Sequence, residues 1–117
     1  MLTHFYTIEQ ITEGEEGYNC LIRLNAEHPV YEGHFPGKPV LPGVCMLHII
    51  KGCVSDILHA PVRFAGIGNC KFLSVVNPKK EDRLLLRLSV KEGRQLRATA
   101  EADGRIVLKL KATWTEE

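Results

Sequence analysis

Residues 43–58 read GVCMLHIIKGCVSDIL, and this stretch decides the fold class. Its apolar residues recur at helical spacings and cover most of the circumference of a helix. Pro42 stands just before it, where the fixed ring angle of a proline suits a helix start. A helix that is apolar on most sides must be covered by other elements. The stretch therefore predicts one long helix, buried nearly all round, with a sheet wrapped around it.

The residues on both sides of this helix predict β-strands separated by turns. Apolar and polar side chains alternate at 18–24 and 84–91, Asp103-Gly104 favours a hairpin, and Gly66 and Gly68 suggest a bulge. About five or six antiparallel strands around a central helix form the hot-dog arrangement, an α+β fold with one domain over residues 1–117. Exposed sheet edges favour pairing with a second copy, so we expect a dimer. The predicted strands are 5–12, 18–24, 64–75, 84–91, 95–102 and 105–115.

Composition and charge exclude several classes of function. The net charge is +1, with basic residues scattered along the chain, so nucleic acid is not an expected partner. No apolar run is long enough to span a membrane and no signal peptide is recognisable, so a cytoplasmic location is expected. The four cysteines lack zinc spacing and are expected to be free thiols, which predicts no metal site. Lys38, Lys51 and Lys71 are candidates for a local basic surface that would meet an acidic carrier.

The segment before the helix carries the candidate chemistry. Residues 28–42 contain four prolines, which predicts a long ordered loop running into the helix start. The first N–H groups of a helix have no partners within it and suit a polarised carbonyl or an oxyanion. His34 lies in this loop and is a candidate general base. The structural alternative is a histidine that bonds to a nearby carbonyl group.

Residues 33–44, GHFPGKPVLPGV, resemble the signature of the beta-hydroxyacyl-ACP dehydratases of the FabA/FabZ type, which have the hot-dog fold. Residues 71–78, KFLSVVNP, resemble a later strand of that family. The resemblance implies that His34 removes the α-proton of a 3-hydroxyacyl thioester. It also implies that Gly43, with Val44 beside it, offers a backbone N–H to the thioester carbonyl. No metal or redox cofactor is implied.

One position departs from the pattern of that family. The family carries a carboxylate fourteen residues after the catalytic histidine, and this chain has His48 there. Burial and the helix dipole should both push His48 toward the neutral form, which orients a hydroxyl group but is a poor acid. A satisfied core histidine is the structural alternative. We therefore expect either slow or selective dehydration of thioesters carried by acyl carrier protein or coenzyme A, with His34 and His48 at the site.

Two other functions remain open from the sequence. The chain could be a degenerate subunit, in a heterodimer with a related dehydratase, that lends its His34 loop to the partner. Thioester hydrolysis on the same fold is less favoured, since the helix offers no suitable carboxylate. Tyr31 and Phe35 are expected to line the tunnel for the acyl chain. Cys45 lies where helix N–H groups would lower the pKa of a thiol, although packing is the preferred role.

Overall fold

A computed structural model describes residues 4–31, 40–91 and 93–117 of the chain. In these ranges one α-helix and six β-strands follow one another, with a single turn of 3₁₀-helix at Pro29–Tyr31. The elements are β1 (Tyr6–Glu13), β2 (Tyr18–Leu24), α1 (Gly43–Leu58), β3 (Val62–Phe72), β4 (Arg83–Lys91), β5 (Gln95–Ala102) and β6 (Arg105–Glu116).

The six strands form one antiparallel sheet in the order β1-β2-β4-β5-β6-β3. Alternation decides which face of each strand is buried: β2 buries Cys20, Ile22 and Leu24 and turns the residues between them outward. The buried face packs against α1, so the core lies between helix and sheet. The predicted α+β arrangement of one helix and six strands is confirmed.

The helix has the predicted bounds. Pro42 occupies the capping position with an extended backbone, and His59 ends the helix in the left-handed conformation, donating its N–H to the Ser55 carbonyl. The sheet covers one side of α1, and the opposite side is less covered than predicted, with Val44 71% exposed. A single sheet can enclose only part of a helix circumference, which explains this difference. The buried residues of α1 are Cys45, Met46, Ile49, Ile50, Cys53 and Val54.

Strand β3 is shifted relative to the prediction, which placed it at 64–75. It starts at Val62, which pairs with Glu116, and ends at Phe72. The register shifts twice along it, between Phe64 and Gly66 and again between Ile67 and Asn69, so the predicted bulge is confirmed. Beyond Phe72, the Leu73 N–H still bonds to the Val107 carbonyl of β6 at 2.8 Å. The Arg105 side chain then binds Ser74 and the Val75 carbonyl.

All four cysteines are free thiols in the structure. Cys20 on β2 and Cys53 on α1 are fully buried near each other in the core. The neighbouring Cys20 thiol, together with burial, raises the pKa of the Cys53 thiol, so Cys53 keeps its proton. No helix of the described chain is both long and apolar enough to cross a membrane.

Candidate functional site

The start of α1 leaves two backbone N–H groups available. The Pro42 carbonyl accepts the N–H of Cys45 at 3.0 Å and that of Met46 at 3.2 Å. Within residues 4–31, 40–91 and 93–117, no acceptor is found for the N–H groups of Gly43 and Val44, and no side chain caps the helix. Two free donors at the positive end of a helix can hold a carbonyl oxygen and stabilise charge that develops on it.

Phe72, at the end of β3, lies against the helix start. A Cβ atom added at Gly43 would stand 2.7 Å from Cζ of Phe72, so only glycine admits the ring at this distance. Phe72 is 51% exposed and lies between the helix start and solvent. The sequence prediction did not include it among the site residues. Its place in the 71–78 segment that resembles the dehydratase family was the available signal.

Tyr31 ends the 3₁₀ turn and points into the core. It is 5% exposed, and its hydroxyl group has no hydrogen-bond partner in the part of the chain that the structure describes. Burial, and to a smaller extent the charge of a nearby Cys45 thiolate, raise the pKa of Tyr31 to about 12. The structure thus brings Tyr31 to the first turn of α1, beside the residue that follows Val44. His34 and Phe35, with Lys38, lie outside the described residues.

His48 lies one turn into α1 and packs against two aromatic rings from the beginning of the chain. The ring centroid of Phe5 is 5.7 Å away and that of Tyr6 is 6.4 Å away, the latter edge to face. Burial, followed by the positive charge of Lys51, lowers the pKa of His48 from 6.5. This direction agrees with the neutral histidine expected from the sequence, although Lys51 was not among the expected causes.

Gly52, one turn beyond His48, makes room for the Tyr6 hydroxyl group. A Cβ atom at Gly52 would overlap the Tyr6 hydroxyl oxygen. Burial, with smaller effects of Cys53 and Asp56, raises the pKa of Tyr6. Tyr6 therefore carries a protonated hydroxyl group on the same side of α1 as His48. Tyr6 on β1 and the glycine at position 52 thus shape one side of the space around His48.

Two sequence expectations concern cysteine and metal chemistry. Burial raises the pKa of the Cys45 thiol, so the helix start does not activate it, and its role is packing. The described part of the chain brings together no group of three or more His, Cys, Asp or Glu side chains that could hold a metal ion.

The outward face of the sheet carries a basic patch. Register places Arg87, Thr99, Lys109 and Lys71 in one row across four strands, and Arg97 and Lys111 in the next row. Arg87 pairs with Glu101 at 2.6 Å, and no other ion pair engages the patch within the described residues. Glu15 and Glu16 lie at the rim of the same depression, whose volume is about 900 Å³. We call Lys71, Arg87, Arg97, Lys109 and Lys111 the basic face.

Comparison with known proteins identifies the family. The ApeI dehydratase family model matches residues 10–110. The 3-hydroxyacyl-[acyl-carrier-protein] dehydratase FabZ of Bacillus velezensis is 32% identical, over 94% of this chain and 86% of its own length. The FabZ of Chloroflexus aggregans is 36% identical over 72% of this chain and 65% of its own length.

Solved structures support the same fold. A chain of the dehydratase heterocomplex ApeI:P from Xenorhabdus doucetiae superposes with a TM-score of 0.80 at 20% identity, covering 94% of this chain and 97% of the other. An uncharacterized protein from Erwinia carotovora subsp. atroseptica superposes with a TM-score of 0.76 at 22% identity, covering 94% and 93%. The fold is therefore the hot-dog fold, as predicted, and the chain belongs to the ApeI-like family of dehydratases.

Proposed function

We propose that this protein dehydrates 3-hydroxyacyl thioesters to trans-2-enoyl thioesters. The observation that carries the proposal is the uncapped start of α1, where the Gly43 and Val44 N–H groups find no acceptor among the described residues. This helix start follows directly on the loop sequence that contains His34. Membership in a dehydratase family gives the reaction class.

In the proposed reaction, His34 takes the proton from the α carbon of the thioester. The electron pair moves onto the carbonyl oxygen, which accepts hydrogen bonds from Gly43 and Val44. The pair then returns to form the double bond between the α and β carbons, and the C–O bond at the β carbon breaks. The departing hydroxide takes the proton held by His34 and leaves as water, which restores neutral His34. One oxyanion donor of this kind contributes on the order of 10²–10³ in rate. Since nothing is oxidised or reduced, the scheme includes no redox cofactor.

His48 enters this scheme as a neutral side chain. Its lowered pKa and its contacts with Phe5 and Tyr6 support a role in orienting the β-hydroxyl group rather than in protonating it strongly. A neutral imidazole is a weaker acid than a carboxylic acid, so the proton for the leaving group arrives less readily. We therefore expect slower dehydration than in relatives that carry a carboxylate at this position.

The basic face supports an acyl carrier protein with an acidic surface as the carrier. Five cations in adjacent rows create a positive field over one side of the sheet, although the whole chain has a net charge of only +1. Such a field steers an acidic protein into contact and speeds association.

Assembly with a second hot-dog chain is part of the proposal. Strand β3 is an edge of the sheet, and apolar residues on it and just beyond it are exposed, among them Ile67, Phe72, Leu73 and Val75. An exposed apolar edge is a template for pairing. We expect Ile67→Arg to produce a monomer in light scattering, whereas Thr7→Arg on the opposite edge strand leaves the mass unchanged. Equal molar masses of the two variants in light scattering would exclude β3 as the interface.

The direct test is incubation of the purified protein with 3-hydroxybutyryl and crotonyl thioesters, following loss or gain of the enoyl group. Wild type should interconvert the two, His34→Ala should reduce turnover by at least a hundredfold, and His48→Ala should reduce it less. Free thiol is measured in the same samples, because its release would indicate hydrolysis. Absence of interconversion by the wild type, with its fold intact by circular dichroism, would reject the proposal for the isolated chain.

A second function is favoured by His48 and by the heterocomplex from which the Xenorhabdus doucetiae neighbour comes. In this alternative the chain is a partner subunit that adds its His34 loop to a site completed by another dehydratase. Turnover should then appear only after mixing with that partner, and His34→Ala in this chain should reduce the activity of the mixture. Robust turnover by the homodimer would exclude this alternative.

A further inference from the structure

The Tyr31 hydroxyl group is polar, buried and without a partner. The Tyr31 side chain is 5% exposed and belongs to an otherwise apolar core. Its hydroxyl oxygen is one of two buried side-chain polar atoms in the described chain that make no hydrogen bond; the other is Nε1 of Trp114. Buried tyrosine hydroxyl groups usually find a partner, because desolvation without a hydrogen bond is costly. The unpaired group therefore needs an explanation.

Its position relates it to the candidate site. The Tyr31 backbone N–H is bonded to the His28 carbonyl at 3.2 Å, which fixes the turn that carries the ring. The ring reaches the neighbourhood of Cys45 in the first turn of α1. The free N–H groups of Gly43 and Val44 belong to the same turn. A buried hydroxyl group without a partner thus lies near a helix start whose first two N–H groups have no acceptor within the described part of the chain.

We propose that the Tyr31 hydroxyl group donates a hydrogen bond to an oxygen atom of the acyl thioester bound at the start of α1. This proposal rests on the proposed function, since it takes the ligand to be a thioester. Tyr31 keeps its proton at neutral pH, so its hydroxyl group is available as a donor. A 3-hydroxyacyl thioester presents two acceptors within reach of one site: the thioester carbonyl oxygen and the 3-hydroxyl oxygen. Phenylalanine would fill the same space without this hydrogen bond.

Tyr31→Phe separates a ligand-binding role from a structural one. If the hydroxyl group has no partner in the free protein, its removal should leave the melting temperature unchanged or raise it. The kcat/KM for 3-hydroxybutyryl pantetheine should fall by about tenfold or more. Tyr18→Phe, on β2, is the matched control and should change neither quantity. A lower melting temperature for Tyr31→Phe, or a kcat/KM within twofold of wild type, would overturn the proposal.

Calorimetric titrations identify the oxygen and keep this proposal separate from the proposed function. Butyryl pantetheine carries only the carbonyl oxygen, whereas 3-hydroxybutyryl pantetheine carries both. Weaker binding of both ligands to Tyr31→Phe identifies the carbonyl oxygen as the acceptor of the hydrogen bond. Weaker binding of 3-hydroxybutyryl pantetheine alone identifies the 3-hydroxyl oxygen. Equal affinities of wild type and variant for both ligands would reject the contact. If wild type binds without turnover, the proposed reaction fails, and the titrations still decide the role of Tyr31.

Discussion

His48 occupies the helix position at which the resembling dehydratases carry a carboxylate, and its surroundings favour the neutral form. The rings of Phe5 and Tyr6 pack against its ring, and the positive charge of Lys51 disfavours protonation of His48. Replacing it by an acid should restore a proton donor for the leaving hydroxyl group. We expect His48→Glu to raise kcat for 3-hydroxybutyryl thioester by about tenfold or more, measured as formation of the enoyl thioester.

His48→Gln is the control for that change, because an amide of similar length orients a hydroxyl group but does not titrate. Its kcat should stay close to that of the wild type if His48 acts only by orientation. No gain from His48→Glu, with substrate binding preserved, would show that this position does not limit the reaction.

The neutral state of His48 could be predicted from the sequence, whereas the state of Tyr31 could not. Burial on an apolar helix already lowers the pKa of a histidine, and the structure confirms the direction. The sequence predicts Tyr31 only as an aromatic residue beside the loop that lines the tunnel for the acyl chain. Its unpaired hydroxyl group depends on contacts between the 3₁₀ turn and the first turn of α1, which no local pattern in the sequence records.

At the scale of elements, α1 and β1 meet where the Tyr6 hydroxyl group rests on Gly52. An alanine at position 52 gains helix propensity worth about 1 kcal/mol, but its Cβ atom overlaps the Tyr6 hydroxyl oxygen. Overpacking of this kind costs about 1–3 kcal/mol, so Gly52→Ala should lower the free energy of unfolding. Urea denaturation measures the change.

The Tyr6→Phe background should reverse the sign of that effect. Without the hydroxyl oxygen, the nearest atom to the new Cβ is Cζ of residue 6 at 3.3 Å, which a small shift accommodates. Gly52→Ala should then be neutral or stabilising by up to about 1 kcal/mol. The same destabilisation in both backgrounds would exclude the overlap as its cause.

Arg105, at the start of β6, makes side-chain hydrogen bonds to the segment between β3 and β4. Arg105 forms two hydrogen bonds with the Glu81 carboxylate, at 2.7 and 2.9 Å, and binds Ser74 and the Val75 carbonyl. A lysine cannot reproduce this planar arrangement of donors. Arg105→Lys should therefore lower the melting temperature more than Arg87→Lys, since Arg87 makes one such bond to Glu101 on the sheet surface. Equal losses for the two variants would contradict this assignment.

The contact of Glu81 with Arg105 should also depend on pH. The hydrogen bond from Arg105 holds the pKa of Glu81 below its ordinary value of 4.5. As pH falls below 4.5, the unfolded state binds a proton first, so the contribution is complete above that pH and is lost as pH falls through the lowered value. The gap in melting temperature between wild type and Glu81→Gln should accordingly narrow from pH 7 toward pH 3. A gap that does not change with pH would exclude the ionised carboxylate as its source.

The elements differ in how well the sequence predicts them. The bounds of α1 are local, because Pro42 and the apolar spacing define them, and the predicted range is correct. The bounds of β3 are set by distant partners. Val75 and Val76 have side chains typical of strands, yet β3 ends at Phe72, and the Val75 carbonyl bonds to the side chain of Arg105, some thirty residues away. A side chain that bonds to a backbone carbonyl in place of a neighbouring strand leaves no periodic signal in the sequence.

At the scale of the whole molecule, the sheet separates two kinds of surface. One side of the sheet packs on α1, and the other side carries the basic face. Strand β3 belongs to both surfaces, because its Phe72 contacts the start of the helix. Lys71 immediately precedes Phe72 and belongs to the basic face. A carrier protein bound to that face would therefore lie beside the edge of the sheet that leads to Gly43. Rows of like charge across strands could not be predicted without the register, and the sequence analysis had singled out only Lys71 of these five.

Charge reversal on the basic face should weaken the reaction with carrier-bound substrate and spare the reaction with small substrates. Lys109→Glu/Lys111→Glu replaces two positive charges by two negative ones at outward-facing positions of β6, a net change of four units, without touching the buried face of that strand. We expect kcat/KM for a 3-hydroxyacyl carrier protein to fall by about ten- to a hundredfold at low salt, because association loses its electrostatic steering. The difference should shrink as salt rises, since exposed charges are screened over roughly 8 Å at physiological ionic strength. With 3-hydroxybutyryl pantetheine the variant should match the wild type.

Lys79→Glu/Lys80→Glu, which makes the same change of charge in the exposed turn before β4, is the control. Equal losses in the two double variants would mean that net charge, rather than the basic face, governs the encounter with the carrier.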